Sequence, residues 1–197
     1  MSKPTPPKAN VQAAPKAAQS GAKVAVRPNA PAKPSKRPSI LPWLGLSIIW
    51  ILLDQLTKLW VVARLDLGAV VEVTSFFNLV HVLNPGAAFS FLASQEGWQR
   101  HFLSGVAVVA SIVILFMMRS SSHRKLAMLC LASILGGALG NLLDRSMHGA
   151  VIDFLDFYWG NYHWPAFNVA DMAISMGAVG LIIDELLFNK ADKAKGA

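Results

Sequence analysis

GNLLDRSMHGAVIDFLDFYWGNYHWPAFNVAD, residues 140–171, decides how the rest of the chain is read. It holds the end of one apolar segment, a polar and aromatic excursion, and the start of another apolar segment. Asp144, Asp153, Asp156 and Asp171 lie in it, with Asn141, Arg145 and Asn168 among them. An ionisable group inside a membrane costs on the order of a few kcal/mol at mid-bilayer. By default such groups mark a functional site whose partners face a protein interior. A solvated loop between two spans accounts for Asp156. It does not account for Asp171, which opens the apolar run MAISMGAVG (172–180).

Composition sets the frame around this stretch. The chain has 197 residues, 54% hydrophobic and only 15% charged, with a mean hydropathy of +0.45. That is the profile of a small integral membrane protein, not of a soluble or disordered chain. The net charge of +7 invites a nucleic-acid reading, but eight of the 18 basic residues fall in the first 40 positions, where there is no acidic residue. No aromatic residue interleaves with them to stack on bases, so no nucleic-acid partner is expected. The single cysteine, Cys130, lies in an apolar run and reads as a small buried hydrophobe.

Residues 1–40, rich in Lys, Ala, Pro and Ser, read as a disordered basic tail rather than a cleavable signal. A membrane domain is expected over 41–189, followed by a short basic tail over 190–197. Within the domain four apolar segments, roughly 41–63, 101–118, 125–143 and 167–188, each approach the ~20 residues that cross ~30 Å of hydrocarbon. Fourteen of the 18 basic residues fall in the first tail, the 119–125 loop and the C-terminus. The positive-inside rule therefore puts both termini in the cytoplasm and residues 64–100 and 144–166 outside.

The outer segments carry structure of their own. VVEVTSFFNLVHVLN (70–84) and VIDFLDF (151–157) are rich in β-branched and aromatic residues and read as short strands. Open strand edges cannot face lipid, so a small sheet at or outside the interface is expected. Trp159, Tyr162 and Trp164 suit an interfacial aromatic belt. Gly136 and Gly140 form a GxxxG that lets the third helix pack closely.

On this topology the intramembrane polar residues converge. Asp54 and Lys58 are four apart and share a face near the outer end of the first helix. Asn141 and Arg145, with Asp144 beside them, end the third helix on the same side. Asn168 and Asp171 begin the fourth. Three helices thus bring polar faces to one depth. Asp184 and Glu185 lie 13 and 14 residues past Asp171, about 20 Å further along a helix, and read as a solvated cytoplasmic end.

Carboxylate is the chemistry on offer. There is no HExxH or comparable metal spacing and no GxSxG elbow. Two carboxyls held close cannot both ionise cheaply. One keeps a proton and can polarise a carbonyl, while the other deprotonates a water. That is peptide hydrolysis with neither metal nor cofactor. The same groups also serve proton-coupled transporters, and proximity alone leaves Asp144 a candidate for the pair.

DQLTK (54–58), NPGAAFSFL (84–92), GNLLDR (140–145), VIDF (151–154) and FNVAD (167–171) resemble, in this order, the motifs of the lipoprotein signal peptidase (signal peptidase II) family. The resemblance covers about 41–188 and leaves out the basic tail. It implies four transmembrane helices under a small periplasmic sheet, and an aspartyl peptidase that cuts prolipoproteins just before the diacylglyceryl cysteine. It implies Asp153 and Asp171 as the catalytic pair. Asp54, Lys58, Asn84, Asn141, Arg145 and Asn168 match its supporting positions, and Asp144 takes a structural role with Arg145 as its local charge partner. It further implies a multi-pass protein of the bacterial inner membrane, contact with membrane lipids, and inhibition by globomycin.

Overall fold

A computed structural model describes residues 38–86 and 98–195, with side chains as far as Leu187. The basic tail as far as residue 37, most of NPGAAFSFL, and residues 93–97 lie outside the described residues. Four helices and four strands follow in the order α1 (Leu41–Arg64), β1 (Val70–Thr74), β2 (Phe77–Asn84), α2 (Trp98–Ser120), α3 (Lys125–His148), β3 (Val151–Trp159), β4 (Tyr162–His163) and α4 (Val169–Lys195). α1, α2 and α3 are long and apolar enough to cross a membrane. α4 carries Asp171, Asp184 and Glu185 within its length.

α3 packs against all three other helices, and its sequence explains why. Small residues on two faces let neighbouring backbones approach. A Cβ at Gly136 would meet Trp50 Cβ of α1 at 2.6 Å, and one at Gly140 would meet Asp54 Oδ2 at 2.7 Å. Gly137, on the next face, is pressed against Ala170 and Ile174 of α4. The GxxxG is therefore the α1 seam, as small-xxx-small pairs are wherever helices meet closely. Ser47 Oγ donates to Ala132 O (2.8 Å) and Trp50 Nε1 to Ser133 Oγ (3.0 Å) across that seam. Large apolar side chains on α1, α2 and α4, such as Leu52, Leu59, Phe116 and Ile182, stay exposed. A membrane protein turns such faces to lipid.

The bundle has two ends of different chemistry. Ile114, Met118, Met128, Leu131, Ala132 and Leu135 form a dry apolar core at one end, with Trp43 and Leu44 packed on it. The other end, where α1 and α3 finish and α4 begins, is polar and meets the sheet.

That sheet is antiparallel with strand order β1-β2-β3-β4. The 70–84 run is a hairpin broken at Ser75–Phe76, not a single strand, and Tyr162–His163 adds a short edge that the sequence does not announce. Gly149 ends α3 at φ +81°, in the left-handed region glycine tolerates, and β3 starts two residues later. The β2–β3 register pairs Asn84 with Val151 and Val82 with Asp153. Side chains alternate along strands, so Asn84 lies diagonally beside Asp153 on one face.

Candidate active site

The polar end is organised around one buried ammonium. Lys58 Nζ lies 2.7 Å from Asp54 Oδ2 and 2.7 Å from Asp144 Oδ2, and donates to Asn141 Oδ1 at 3.0 Å. Lys58 is 1% exposed, and Asp54 and Asp144 are fully buried. Charges this deep persist only when paired and hydrogen-bonded. Both carboxylates also take a backbone N–H. Asp54 accepts from Ala170 N at its second oxygen, Oδ1 (2.9 Å), and Asp144 accepts from Ile152 N (3.1 Å) at Oδ2, the oxygen that faces Lys58. Gln55 Nε2 closes the group by donating to Asp144 Oδ1 (2.8 Å) and Asp54 Oδ2 (3.2 Å).

One step outward sit the two other carboxylates. Asp153 Oδ2 accepts from Asn84 Nδ2 (2.9 Å) and Oδ1 from Asn168 Nδ2 (2.7 Å). Asp171 Oδ1 accepts from Asn141 Nδ2 (2.7 Å) and Oδ2 from the Asn168 backbone N–H (3.3 Å). Asn168 Oδ1 in turn accepts from Asp171 N at 3.0 Å. Asn168 and Asp171 thus form the reciprocal capping box of α4, with Asn168 as N-cap and Asp171 at the third helical position. Fold and site coincide here, because the residue that starts the helix also aims its acid.

Asp153 and Asp171 are held by amides and, among the described residues, neither forms an ion pair. Burial pushes the Asp153 carboxyl up to about 6; the Asp171 charge acts in the same sense, while the Asn84 and Asn168 amides and Lys58 oppose it. Asp153 is 2% exposed, whereas Asp171 is half-buried and lines a cavity of about 600 Å³ with Asn84, Leu103, Arg145, Phe167 and Met176. An aromatic groove of about 640 Å³ at the tip of the sheet, lined by Trp159, Tyr162 and Trp164 among others, holds no carboxylate. Of these two cavities, the one lined by Asp171 is the one that carries a carboxylate.

All nine residues singled out in the sequence meet in this network or on its cavity wall. The expected Asp144–Arg145 pairing is not made. Neighbouring helical residues point about 100° apart, so Asp144 turns inward to Lys58. Arg145 forms no ion pair among the described residues. Its Nη1 donates to Asn141 O at 3.4 Å, and the guanidinium stands at the cavity wall. Asp156 is no loop residue: it is buried in β3, accepting from Asn78 Nδ2 at 2.8 Å and lying 2.9 Å from His163 Nδ1. Asp184 and Glu185 are not simply solvated, because both pair with Arg124 at the start of α3. Gln55 escaped sequence reasoning, although its place beside Asp54 in DQLTK was a signal. The N-x-x-D spacing of Asn168 and Asp171 likewise announced a cap.

Comparison with known proteins agrees with this geometry. Residues 46–187 match the family described as Signal peptidase (SPase) II. The lipoprotein signal peptidase of Ralstonia nicotianae is 57% identical over 145 residues, covering 74% of this chain and 84% of that one. That of Burkholderia thailandensis is 53% identical over 148 residues, covering 75% and 89%. A bacterial membrane enzyme solved by the in meso method at 2.3 Å resolution superposes with a TM-score of 0.69 at 26% identity, over 80% of this chain and 94% of that one. With its helices, its small antiparallel sheet and its buried carboxylates, this multi-pass membrane chain belongs to the signal peptidase II family of peptidases.

Proposed function

We propose that this peptidase is an aspartyl endopeptidase that removes signal peptides from diacylglyceryl-modified prolipoproteins, cutting just before the lipidated cysteine. Asp153 and Asp171 are its catalytic pair. One observation carries the assignment: both carboxylates are bonded to the same asparagine, Asn168, and neither is ion-paired among the described residues. Two such groups share one proton. Asp153, the drier, holds it, and Asp171, on the open cavity, is the base.

The steps then balance. Asp171 takes a proton from a water as that water attacks the scissile carbonyl, and Asp153 gives its proton to the developing oxyanion. The tetrahedral diol collapses when its hydroxyl proton returns to Asp153 and the leaving amine takes the proton held by Asp171. The dyad ends as it began. Asn141, Asn168 and Asn84 hold the two acids in register, and the Arg145 guanidinium donates to substrate carbonyls along the cavity wall.

The substrate suits a dyad at the polar end of the bundle. A diacylglyceryl cysteine is held at the level of the headgroups, and the signal peptide runs into the membrane beside α4. Four helices span a bacterial inner membrane, α4 included, with the sheet on the periplasmic side and both termini in the cytoplasm. The distribution of Lys and Arg supports that orientation. Membrane lipids and globomycin bind on the same outer face. The assay is cleavage of a diacylglyceryl precursor by the purified protein. Release of the intact signal peptide is expected, blocked by globomycin and absent with the unlipidated precursor. No cleavage by correctly inserted protein overturns the reading.

A further inference from the structure

We propose that Lys58 is a positioning residue for the reaction: one buried ammonium sets the separation of Asp153 and Asp171 through three hydrogen-bonded arms. The inference rests on the assignment of those two aspartates as the catalytic pair. Its ground is where each arm ends. Through Asp54, Lys58 reaches the backbone N–H of Ala170, the residue before Asp171. Through Asp144 it reaches the backbone N–H of Ile152, the residue before Asp153. Through Asn141 it reaches Asp171 directly, because Asn141 accepts from Lys58 at Oδ1 and donates from Nδ2 to Asp171 Oδ1.

The third arm fixes an orientation as well as a distance. An asparagine amide can turn over, exchanging its donor and acceptor ends. An ammonium within 3.0 Å of one end admits only the oxygen there, so the amino group faces Asp171. Asn168 Nδ2 lies 3.2 Å from the same Asn141 oxygen and 2.7 Å from Asp153 Oδ1. The orientation of one amide thereby passes to the second and on to the other acid.

Lysine is the residue this geometry requires. An ammonium has three donors on one compact centre, and Lys58 has three acceptors: Asp54 Oδ2, Asp144 Oδ2 and Asn141 Oδ1. The ion pairs of Lys58 among the described residues are with Asp54 and Asp144, not with the catalytic pair. Its action on the chemistry passes through its neighbours.

A plain structural staple would share much of this geometry, so the test must separate the two. Lys58→Met combined with Asp54→Asn keeps the summed charge of residues 54, 58 and 144 at −1, and keeps a side-chain oxygen for Ala170 N. In the lipidated-precursor assay the positioning role predicts a loss of about 10- to 100-fold in kcat. KM should stay within about threefold, and the pH profile of kcat/KM should be displaced. An unchanged kcat and pH profile per folded molecule overturns the proposal. Asp144→Asn provides the second arm. It leaves Lys58 paired with Asp54 but breaks the Lys58–Asp144 ion pair that leads to β3, so a several-fold loss of kcat at constant KM and a moved pH limb are expected. Folded Asp144→Asn protein with wild-type kcat and pH profile likewise overturns the proposal, even if the double variant does not insert. Wild-type protein that cleaves no precursor instead refutes the assignment of function beneath it.

Discussion

Four aspartates lie within one hydrogen-bonded network, yet they form two unlike pairs. Asp54 and Asp144 share an ammonium and are fully buried. Asp153 and Asp171 share an asparagine, and the second of them faces a cavity. A cation stands between the first two carboxylates, and each of them accepts a backbone N–H that fixes a helix start or a strand start. Asp153 and Asp171 are held by amides instead, and in the proposed mechanism they share the one proton that acid–base catalysis needs. The protein assigns structure and chemistry to the same side chain by choosing what stands between the members of each pair.

The largest expected effect tests that division directly. Asn is nearly isosteric with Asp but exchanges no proton at neutral pH. Asp153→Asn or Asp171→Asn should lower turnover of lipidated precursor by about 10²- to 10⁴-fold, the span of general acid–base contributions, while the protein still inserts. Asp144→Asn should lose activity only several-fold. Its main cost is stability, on the order of a few kcal/mol, because a buried ion pair is broken. Equal kinetic losses in all three variants would erase the distinction between the pairs.

Much of this was legible in sequence, and the remainder has physical reasons. Hydrophobic length gave the helices. The spacing of Asp54 and Lys58 and the position of Asn168 and Asp171 brought three polar faces to one end. What failed was partner choice. Arg145 follows Asp144 directly, but the helix turns them apart, and the cation that reaches Asp144 comes from α1, 86 positions away in the chain. Asp156 read as solvated because β3 is seen to be covered only once β2 is in register and Asn78 stands opposite. Local order is written locally, whereas pairing across elements depends on register that no single stretch contains.

The second prediction sharpens the catalytic pair through its pH behaviour. In the proposed mechanism Asp153 carries the proton, and its carboxyl is held at about 6, mainly by burial. In the free enzyme the protonated form is lost as pH rises through that value. The rate constant kcat/KM should therefore have a basic limb near pH 6. Bound substrate excludes water further, so the limb in kcat should lie higher. Rates measured from pH 4 to 9 under both regimes check this. A free-enzyme limb that is unchanged in Asp144→Asn and also falls above pH 8 would contradict the assignment of the proton.

The same group should write a signature in stability. Its folded value is raised from 3.8 to about 6. The stabilisation it contributes is fully present below about pH 3.8 and is lost as pH rises through about 6. The swing is on the order of 3 kcal/mol. Thermal denaturation in detergent should show the wild type losing stability across that window. Asp153→Asn, with nothing to titrate at this position, should lack that component. Identical pH dependence in the two proteins would mean that Asp153 ionises freely, and the contrast between the pairs would lose its electrostatic basis.

The smallest effect is expected at Asp156, the carboxylate that belongs to neither pair. It is buried in the sheet and accepts from Asn78. Its other partner, His163, is 53% exposed at the side chain, and such half-solvated pairs contribute about 0–1 kcal/mol. In Asp156→Asn the remaining carbonyl oxygen still serves Asn78 and still lies beside His163, so only the charge of that pair is lost. A change of ~1 kcal/mol moves the melting point of a chain this size by about 2–4 °C. The variant should melt within that interval of the wild type, with kcat within about twofold per folded molecule. Since β3 also carries Asp153, a tenfold fall in kcat without a matching fall in stability would extend the catalytic network along the strand. It would then break the separation between carboxylates that hold the fold and carboxylates that move protons.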